Sequence, residues 1–177
     1  AAIGDENKVQ TLLDRGADVR AVDSDGDGVL RDAMAKRNIR LFELLLNRGA
    51  DPNARSTSAA GVPGFPILHA LAESGWSEGI KALGRHGANA ESKGVGEITP
   101  MMLAAGGGRD DAVTALRSLG ASVNARDNEG DSVLYYAVSK GHWSTTKLLL
   151  ALGANPNPPE GVPGRTPIMV AAALAGP

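Results

Sequence analysis

The amino-acid sequence predicts an all-α protein of stacked helix pairs, and three observations support this fold class. A glycine-containing motif recurs at an interval of about 33 residues. In the unit at 127–157, two apolar stretches, 133–138 and 143–152, are separated by Gly141, and neither is long enough to be a stable helix alone in water. Aromatic residues make up only 3% of the chain, which suits thin, closely packed helices. Such helix pairs must stack on copies of themselves.

The recurring motif is L-L-x-x-G-A-[DNS]-x-N. Its glycine stands where a helix is expected to end, because glycine enters the left-handed conformation without a steric cost. One interval between copies contains about five additional residues. The motif occupies residues 12–20, 45–53, 116–124 and 149–157, with a degraded copy at 83–91. The motif glycines are Gly16, Gly49, Gly87, Gly120 and Gly153.

A second pattern, G-x-T-P-L-H-x-A-A-x-x-G-H, is present in pieces. Residues 99–105 (TPMMLAA) and 166–172 (TPIMVAA) are close to its centre, Leu68 and His69 keep the L-H pair, and residues 141–142 keep the G-H pair. With these motifs the chain resembles the ankyrin repeat family over essentially its whole length. The resemblance implies an ankyrin-repeat α-solenoid of stacked helix-turn-helix units, with short β-hairpin fingers on one side.

We expect one domain, 1–177, made of repeats that run in sequence along the chain. In the first repeat, Gly4 is predicted to be a turn and Asn7–Arg15 an outer helix. In the last, Ile168–Leu174 is predicted to be an inner helix. The expected divisions are a partial repeat at 1–22, full repeats at 23–55, 56–93, 94–126 and 127–159, and a partial repeat at 160–177.

The third repeat departs most from the pattern. Its insertion lies around residues 56–60, and the following Gly61–Gly64 stretch, with Pro before Gly, predicts a type II turn. Gly79 and Gly84 fall inside its outer helix, where each glycine costs roughly 1 kcal/mol relative to alanine. We therefore expect this repeat to be the least stable.

Composition argues against several classes of function. The net charge of −2 gives no basic surface for nucleic acid, and no apolar run approaches the roughly 18 residues of a membrane span. The chain has no cysteine, which excludes disulfides and thiolate chemistry. No signal peptide is visible at the amino terminus. The sequence does not fix the compartment: a cytoplasmic location is favoured, and export stays open because the sequence starts within a repeat. We expect a monomer or weak self-association.

Few residues could carry chemistry. The three histidines have structural interpretations: the family resemblance implies that His69 ties its inner helix to its own turn, His142 follows the glycine between two helices, and His86 precedes a helix stop. No nucleophile elbow, phosphate loop or zinc-protease motif is present. We predict no catalytic residue, no cofactor and no metal site, and hence no enzyme activity.

One stretch imitates half of a calcium-binding loop. Residues 23–28 (DSDGDG) place carboxylates at positions 1, 3 and 5 and glycine at position 6. The twelfth position, which should supply a bidentate glutamate, is Met34. A finger turn is therefore the preferred interpretation, and weak calcium binding is kept as an alternative.

The resemblance implies that a partner protein binds the finger tips and the exposed side of the inner helices. Phe65 and Ile98 occupy neighbouring finger tips and predict an apolar hot spot. Alternatively, the charged residues are merely solvated and Phe65 packs on the insertion. The predicted partner-binding residues are Asp25, Asp27, Lys36, Arg55, Val62, Phe65, Glu73, Lys93, Ile98, Arg126, Glu129, Asp131, Lys140 and Arg165.

The sequence thus predicts a non-enzymatic protein-protein interaction module. Two alternatives remain: a regulatory or targeting arm of a larger enzyme or effector, and a self-associating structural scaffold. The two tryptophans of the chain, Trp76 and Trp143, both fall near the turn between inner and outer helices. We expect both to pack between helices, and a second binding surface on the back of the solenoid is the lesser alternative.

Overall fold

The computed structural model describes residues 2–23, 28–57, 63–157 and 166–174. Within these residues the chain forms two rows of short helices joined by tight turns. The inner row contains α2 (Val29–Ala35), α4 (Ile67–Ser74), α6 (Pro100–Gly106), α8 (Val133–Ser139) and α10 (Pro167–Leu174). The outer row contains α1 (Ala2–Asp14), α3 (Ile39–Asn47), α5 (Ser77–Arg85), α7 (Asp110–Ser118) and α9 (Trp143–Ala151).

Each helix packs mainly on its immediate neighbours. In the inner row α4 packs on α6, α6 on α8 and α8 on α10, while in the outer row α3, α5, α7 and α9 follow one another. Four of the inner helices, α2, α4, α6 and α8, also pack on the outer helix that follows them. This nearest-neighbour stacking confirms the predicted all-α solenoid. The exact divisions between repeats stay a prediction.

The helix boundaries follow from local chemistry. Thr99 and Ser132 precede inner helices, and their side chains accept hydrogen bonds from the backbone N–H groups of Met102 (3.4 Å) and Tyr135 (3.2 Å). Pro100 then occupies the first helical position, where its missing N–H is not needed. All five motif glycines have φ between 84° and 91°, which confirms that each follows the end of an outer helix.

The turn between inner and outer helices also requires a left-handed residue. Gly75, Gly108 and Gly141 supply it with φ of 65° to 72°. In the second repeat the same turn is made by Arg37 at φ 48°, a conformation that costs a residue with a side chain about 1 kcal/mol or more. The Arg37 guanidinium donates a 2.6 Å hydrogen bond to the backbone oxygen of Ser74, which helps to hold this turn against the next repeat.

The prediction of a turn at Gly4 was wrong. Helix α1 runs without a break from Ala2 to Asp14 and packs on α3. An isolated glycine inside a helix costs only about 1 kcal/mol, so it does not by itself end the helix. The predicted inner helix at Ile168–Leu174 is confirmed as α10, which begins one residue earlier.

The fingers take more than one form. In the third repeat, β1 (Arg55–Thr57) pairs antiparallel with β2 (Pro63–Pro66). Because Pro63 and Gly64 lie in β2, the predicted type II turn at residues 61–64 was wrong for these two residues. Proline is tolerated there because a strand at a sheet edge need not donate a hydrogen bond. The remaining predicted turn residues lie outside the described ranges.

Other fingers are closed by fewer backbone contacts. Single antiparallel bridges join Val22 to Gly28 and Arg126 to Ser132. In the fourth repeat a one-turn 3-10 helix, Val95–Glu97, replaces a strand pair, and the Gly94 N–H donates a 2.8 Å hydrogen bond to the backbone oxygen of Ile98. Residues 94–98 are therefore a closed loop that projects from the inner row.

The two glycines of α5 are required by packing. A Cβ at Gly79 would lie 2.7 Å from the ring of Trp76, which is only 4% exposed and packs edge-on against Phe42 at 5.2 Å. A Cβ at Gly84 would collide with the Leu119 side chain of the next repeat. These glycines lower the helix propensity of α5, but they allow Trp76 and Leu119 to pack closely against it.

The last position of the repeat motif ties each repeat to the next. Asn124 donates a 3.2 Å hydrogen bond to the Gly153 backbone oxygen and accepts a 2.7 Å bond from the Asn155 N–H. Asn53 makes the equivalent contacts with Gly87 and Asn89 one repeat apart. This explains the asparagine at the end of the motif: its amide both donates and accepts across the repeat interface.

No helix among the described residues is long and apolar enough to cross a membrane.

Candidate functional site

A groove lies between the fingers of the fourth and fifth repeats, above helix α8. Its volume is about 520 Å³. We call it the finger groove, and it is lined by Val95, Gly96, Ile98, Asp127, Asn128, Glu129, Asp131, Tyr135, Tyr136, Ser139 and Lys140. Four of the predicted partner-binding residues, Ile98, Glu129, Asp131 and Lys140, therefore meet in one place.

Asp127 holds one wall of the finger groove in shape. Its Oδ1 accepts hydrogen bonds of 2.9 Å from the backbone N–H groups of both Glu129 and Asp131, and its Oδ2 accepts a 2.7 Å bond from the Tyr136 hydroxyl. The Asn128 N–H donates a 3.0 Å bond to the Gly96 backbone oxygen, which joins the two fingers. The groove is thus preformed by a connected set of hydrogen bonds.

The groove has a negative electrostatic character. The pKa of Tyr136 is raised well above its usual value, first by burial and then by its hydrogen bond to Asp127. The negative charges of Asp127, Asp131 and Glu129 raise it further. At neutral pH the phenol therefore stays protonated and acts as a hydrogen-bond donor.

A second group of predicted residues lies between the third and fourth repeats. The Arg55 guanidinium donates a 3.0 Å hydrogen bond to the Lys93 backbone oxygen, and the Lys93 ammonium forms a 2.7 Å ion pair with Glu97. Phe65 lies so close to Gly94 that a Cβ there would collide with its ring. Arg55 and Phe65 also border a small pocket of about 40 Å³ whose other walls include Leu30, Met34 and Ile67.

Phe65 and Ile98 differ in exposure, although both were expected to be exposed finger tips. Phe65 is 39% exposed and packs beside the His69 ring, with ring centroids 5.4 Å apart. Ile98 is partly buried and packs against the core. The expected pair of exposed apolar tips is therefore reduced to Phe65, which packs on the next finger as well as facing solvent.

Two of the predicted charged residues are also less exposed than expected. Asp131 is only 8% exposed, because its finger folds back onto α8. Arg126 is partly buried and donates a 2.6 Å hydrogen bond to the Gly130 backbone oxygen. Lys36, directly after α2, and Glu73, on α4, are exposed but do not line the finger groove. The role of each of these residues in binding stays a prediction.

Several predicted residues lie outside the described ranges: Asp25, Asp27, Val62 and Arg165. Most of the calcium-like stretch at 23–28 lies there too, so calcium binding stays an untested alternative. In the part of the chain that is described, no group of three or more histidine, aspartate or glutamate residues could hold a metal ion.

Two of the three histidines, His69 and His142, connect repeats. His69 is fully buried, and its Nε2 lies 2.9 Å from the backbone oxygen of Ile98 in the next repeat's finger. The expectation that it ties its helix to its own turn was therefore wrong, because the neighbouring finger lies closer to the ring. The Nε2 of His142 lies 3.0 Å from the backbone oxygen of Gly106 in the preceding repeat.

The two tryptophans differ. Trp76 is buried between helices as expected, whereas Trp143 is 53% exposed on α9. The expectation that Trp143 packs between helices was therefore wrong. Trp143 stands where Asp110 stands one repeat earlier, and Asp110 accepts 2.5 Å hydrogen bonds from Ser144 and Thr145 of the next repeat. By analogy with Asp110, Trp143 therefore lies on the side of α9 where a following outer helix would pack.

Sequence reasoning missed the role of Asp127 and Tyr136. Neither residue is among the predicted partner-binding residues. Two signals were available, an aspartate at the start of a finger and a tyrosine on the adjacent inner helix. The hydrogen bond between them depends on how the finger folds over α8, which spacing alone does not reveal.

Comparison with known proteins fits this architecture. A family model described as ankyrin repeats (many copies) matches residues 101–150. Residues 101–150 are thus ankyrin repeats, and the stacked helix pairs of the other described residues are similar to them. Ankyrin repeats generally act as protein-interaction modules and are not themselves catalytic.

Relatives extend the similarity beyond the matched repeats. The chain is 34% identical over 102 residues to the B-cell lymphoma 3 protein homolog of Mus musculus, covering 57% of this chain and 22% of the relative. It is 36% identical over 74 residues to the probable E3 ubiquitin-protein ligase XBOS33 of Oryza sativa subsp. japonica, covering 42% and 14%. It is 29% identical over 108 residues to the E3 ubiquitin-protein ligase KEG of Arabidopsis thaliana, covering 61% and 6%. The ankyrin repeats thus match only a minor part of each relative.

Proposed function

We propose that this ankyrin repeat domain is a non-enzymatic module that binds a partner protein on the surface formed by its fingers and inner helices. The finger groove is the observation that carries the proposal. It gathers Ile98, Glu129, Asp131 and Lys140 around one recess of about 520 Å³. A recess with apolar and charged walls can bury a partner side chain and fix its orientation.

The preformed shape of the groove supports this function. Asp127 fixes the fifth finger through two backbone amides and Tyr136, and the Asn128 N–H fixes the fourth finger through Gly96. A surface that is already ordered loses little conformational entropy when a partner binds. The polar groups that hold it therefore favour recognition without a large rearrangement.

The remaining predicted residues would extend the contact toward the amino-terminal repeats. One repeat interface away from the finger groove lie Arg55, Phe65 and Lys93. Of these, Phe65 offers an exposed apolar side chain. Lys36 and Glu73 lie on the exposed inner row. We propose that a long partner segment crosses these positions, with Asp25, Asp27, Val62, Arg126 and Arg165 as further predicted contacts.

The test compares two variants that keep the fold but change different surfaces, the fingers in one and the outer row of helices in the other. Proteins from the source cells are captured on the parent chain, on a Phe65→Ala, Glu129→Lys variant and on a Trp143→Ala variant, with helicity checked by circular dichroism. A partner retained by the parent and by Trp143→Ala but lost on the finger variant supports the proposal. A partner lost only on Trp143→Ala would instead place binding on the outer row and contradict it.

A second candidate is an arm within a larger protein. It is favoured by the relatives, of which this chain matches no more than 22% of the length. Two of those relatives are named as E3 ubiquitin-protein ligases. An antibody against this chain, used on source-cell extract, would detect a polypeptide much larger than 18.1 kDa if this candidate is correct. A band at that mass would contradict it.

A third candidate is self-association. Exposed apolar side chains on α9 and α10 favour it, namely Trp143 (53% exposed), Leu150 (45%), Ile168 (72%), Met169 (65%) and Leu174 (54%). In a solenoid such a face is covered by the next stacked unit, and here a second copy could supply it. Light scattering over a range of concentrations tests this candidate, which a constant monomer mass would overturn.

A further inference from the structure

We infer that the partner segment that occupies the finger groove is basic, and that it places an arginine side chain against the groove's carboxylates and tyrosine rings. This inference rests on the proposed function and adds the chemistry of the partner. It follows from the charge of the groove, the state of its charged groups and the aromatic surface beside them.

The residues that line the finger groove carry unequal charge. Asp127, Glu129 and Asp131 supply three carboxylates, and Lys140 supplies the one ammonium group. Neither Glu129 nor Lys140 has a side-chain ion pair or hydrogen bond to another residue in the described ranges. Lys140 therefore does not neutralise Glu129 through a close contact, while Asp127 is hydrogen-bonded to Tyr136 and Asp131 has an interaction of its own. A cationic partner group gains from this excess negative charge, and an acidic one is repelled.

The carboxylates act on the same region of space. Asp127 contacts Tyr136 directly, while Glu129 and Asp131 hydrogen-bond through their backbone N–H groups to the Asp127 carboxylate. The charges of all three are felt at the Tyr136 hydroxyl, where they raise its pKa. A positive group entering the groove would therefore interact with several negative charges at once, which is worth more than one surface ion pair.

The aromatic wall favours arginine over lysine. Tyr135 and Tyr136 stand edge to face with ring centroids 6.0 Å apart, and both are half-buried at the groove. A guanidinium group can stack on a tyrosine face while its N–H groups reach a carboxylate, whereas an ammonium group makes a compact point contact. The groove offers both surfaces to one side chain.

The rim supplies an apolar contact beside the charge. Val95 is 64% exposed in the fourth finger and lines the groove together with Glu129. An aliphatic residue next to the arginine in the partner would cover Val95 while the guanidinium enters the groove. The inferred partner is therefore an extended protein segment that carries an arginine adjacent to an aliphatic residue.

The experiment selects random linear peptides displayed on phage against the parent chain, and synthesises the enriched peptides with a fluorescent label. Affinities are measured by fluorescence polarisation for the parent, Glu129→Gln and Val95→Asp. A Glu78→Gln variant is the matched control, because Glu78 is also exposed but lies on α5, away from the groove. Each arginine in a selected peptide is also replaced by citrulline, which keeps the shape and removes the charge.

The inference expects enriched peptides with an arginine beside an aliphatic residue. Glu129→Gln should weaken their binding about five- to tenfold, Glu78→Gln should leave it unchanged, and added salt should shrink the difference. Citrulline should weaken binding to the parent by about tenfold or more and should abolish the effect of Glu129→Gln.

Other outcomes overturn it in distinguishable ways. Peptides without basic residues that bind the parent and lose affinity with Val95→Asp would reject a basic partner while leaving the proposed groove function intact. Basic peptides that bind the parent, Glu129→Gln and Val95→Asp equally would reject both the inference and the groove. An empty selection would reject the inference, and the capture experiment above would then decide the proposed function by itself.

Discussion

The hydroxyl of Tyr136 donates a 2.7 Å hydrogen bond to Oδ2 of Asp127, nine residues earlier in the chain. The Oδ1 atom of the same carboxylate accepts from the backbone N–H groups of Glu129 and Asp131. One aspartate therefore connects the inner helix α8 to the finger that precedes it. Because the pKa of Tyr136 is raised, the phenol remains a donor through the neutral range.

Replacing Tyr136 by phenylalanine should loosen this finger. The lost hydrogen bond should lower the free energy of unfolding by about 1 kcal/mol, and the Asp127 carboxylate would keep only its backbone donors. Hydrogen exchange at the Glu129 and Asp131 amides should become faster. Urea denaturation and amide exchange measured on the same sample check both effects.

The matched control is Tyr135→Phe, because the Tyr135 hydroxyl has no hydrogen-bond partner among the described residues. This variant should leave stability and the exchange of both amides close to those of the parent. Equal effects of the two substitutions would show that the Tyr136 hydroxyl does not hold the finger.

The fold was largely predictable from sequence because the signals repeat. The left-handed glycine after each outer helix and the caps at Thr99 and Ser132 are local requirements that residue type alone satisfies. Gly4 was misinterpreted because a glycine by itself does not end a helix, and α1 continues through it.

The candidate site was less predictable. Register correctly placed Glu129 and Lys140 on the exposed side of the fifth repeat, but not the burial of Asp131 or the partial burial of Ile98. Those depend on how a finger folds over the inner helices, and on contacts such as that of His69 with Ile98 in the next repeat. Such contacts join residues distant in sequence, so no local pattern encodes them.

His69 should make stability fall in mild acid. Burial lowers the pKa of its ring, and the positive charge of Arg55 acts in the same direction, while the hydrogen bond to Ile98 opposes them. The unfolded chain therefore binds a proton at a higher pH than the folded chain. This contribution to stability is complete above a pH of about 6.5 and is lost as the pH falls below that value toward the lowered pKa.

Urea denaturation at pH 7.5 and 5.5 checks this prediction. The Nδ1 atom of His69 is buried without a hydrogen-bond partner, so a proton added there would have no acceptor. In His69→Gln, an amide group replaces the titrating ring, and the loss of stability between the two pH values should be smaller than in the parent. An unchanged loss would assign the acid sensitivity to other groups, and His86→Gln, at the half-buried residue directly after α5, serves as the comparison.

Gly79→Ala should destabilise the protein although alanine favours helix. The new Cβ would lie 2.7 Å from the buried Trp76 ring, which packs on Phe42 and has little room to move. Overpacking of this kind costs about 1–3 kcal/mol, more than the roughly 1 kcal/mol gained from helix propensity. Thermal and urea denaturation should both show the loss.

The matched substitution is Gly106→Ala in helix α6. There the nearest atom to a new Cβ is Cδ1 of Tyr136 at 3.5 Å, which is ordinary contact. Stability should stay equal or rise by up to about 1 kcal/mol. If Gly79→Ala were as stable as Gly106→Ala, the Trp76 ring would have to move freely, and the close packing argued for α5 would be wrong.

Asn124→Ala should weaken the coupling between the fourth and fifth repeats. The amide of Asn124 donates to the Gly153 backbone oxygen and accepts from the Asn155 N–H, so the substitution removes two hydrogen bonds across the interface. We expect a loss of about 1–2 kcal/mol, less than for two buried bonds because Asn124 is exposed. Since a solenoid is stabilised by contacts between adjacent repeats, unfolding should also become less cooperative.

Asn157→Ala is the control, because Asn157 has the same place in the motif but its side chain bonds no described residue. A similar small effect of both substitutions would mean that the motif asparagine acts only within its own loop.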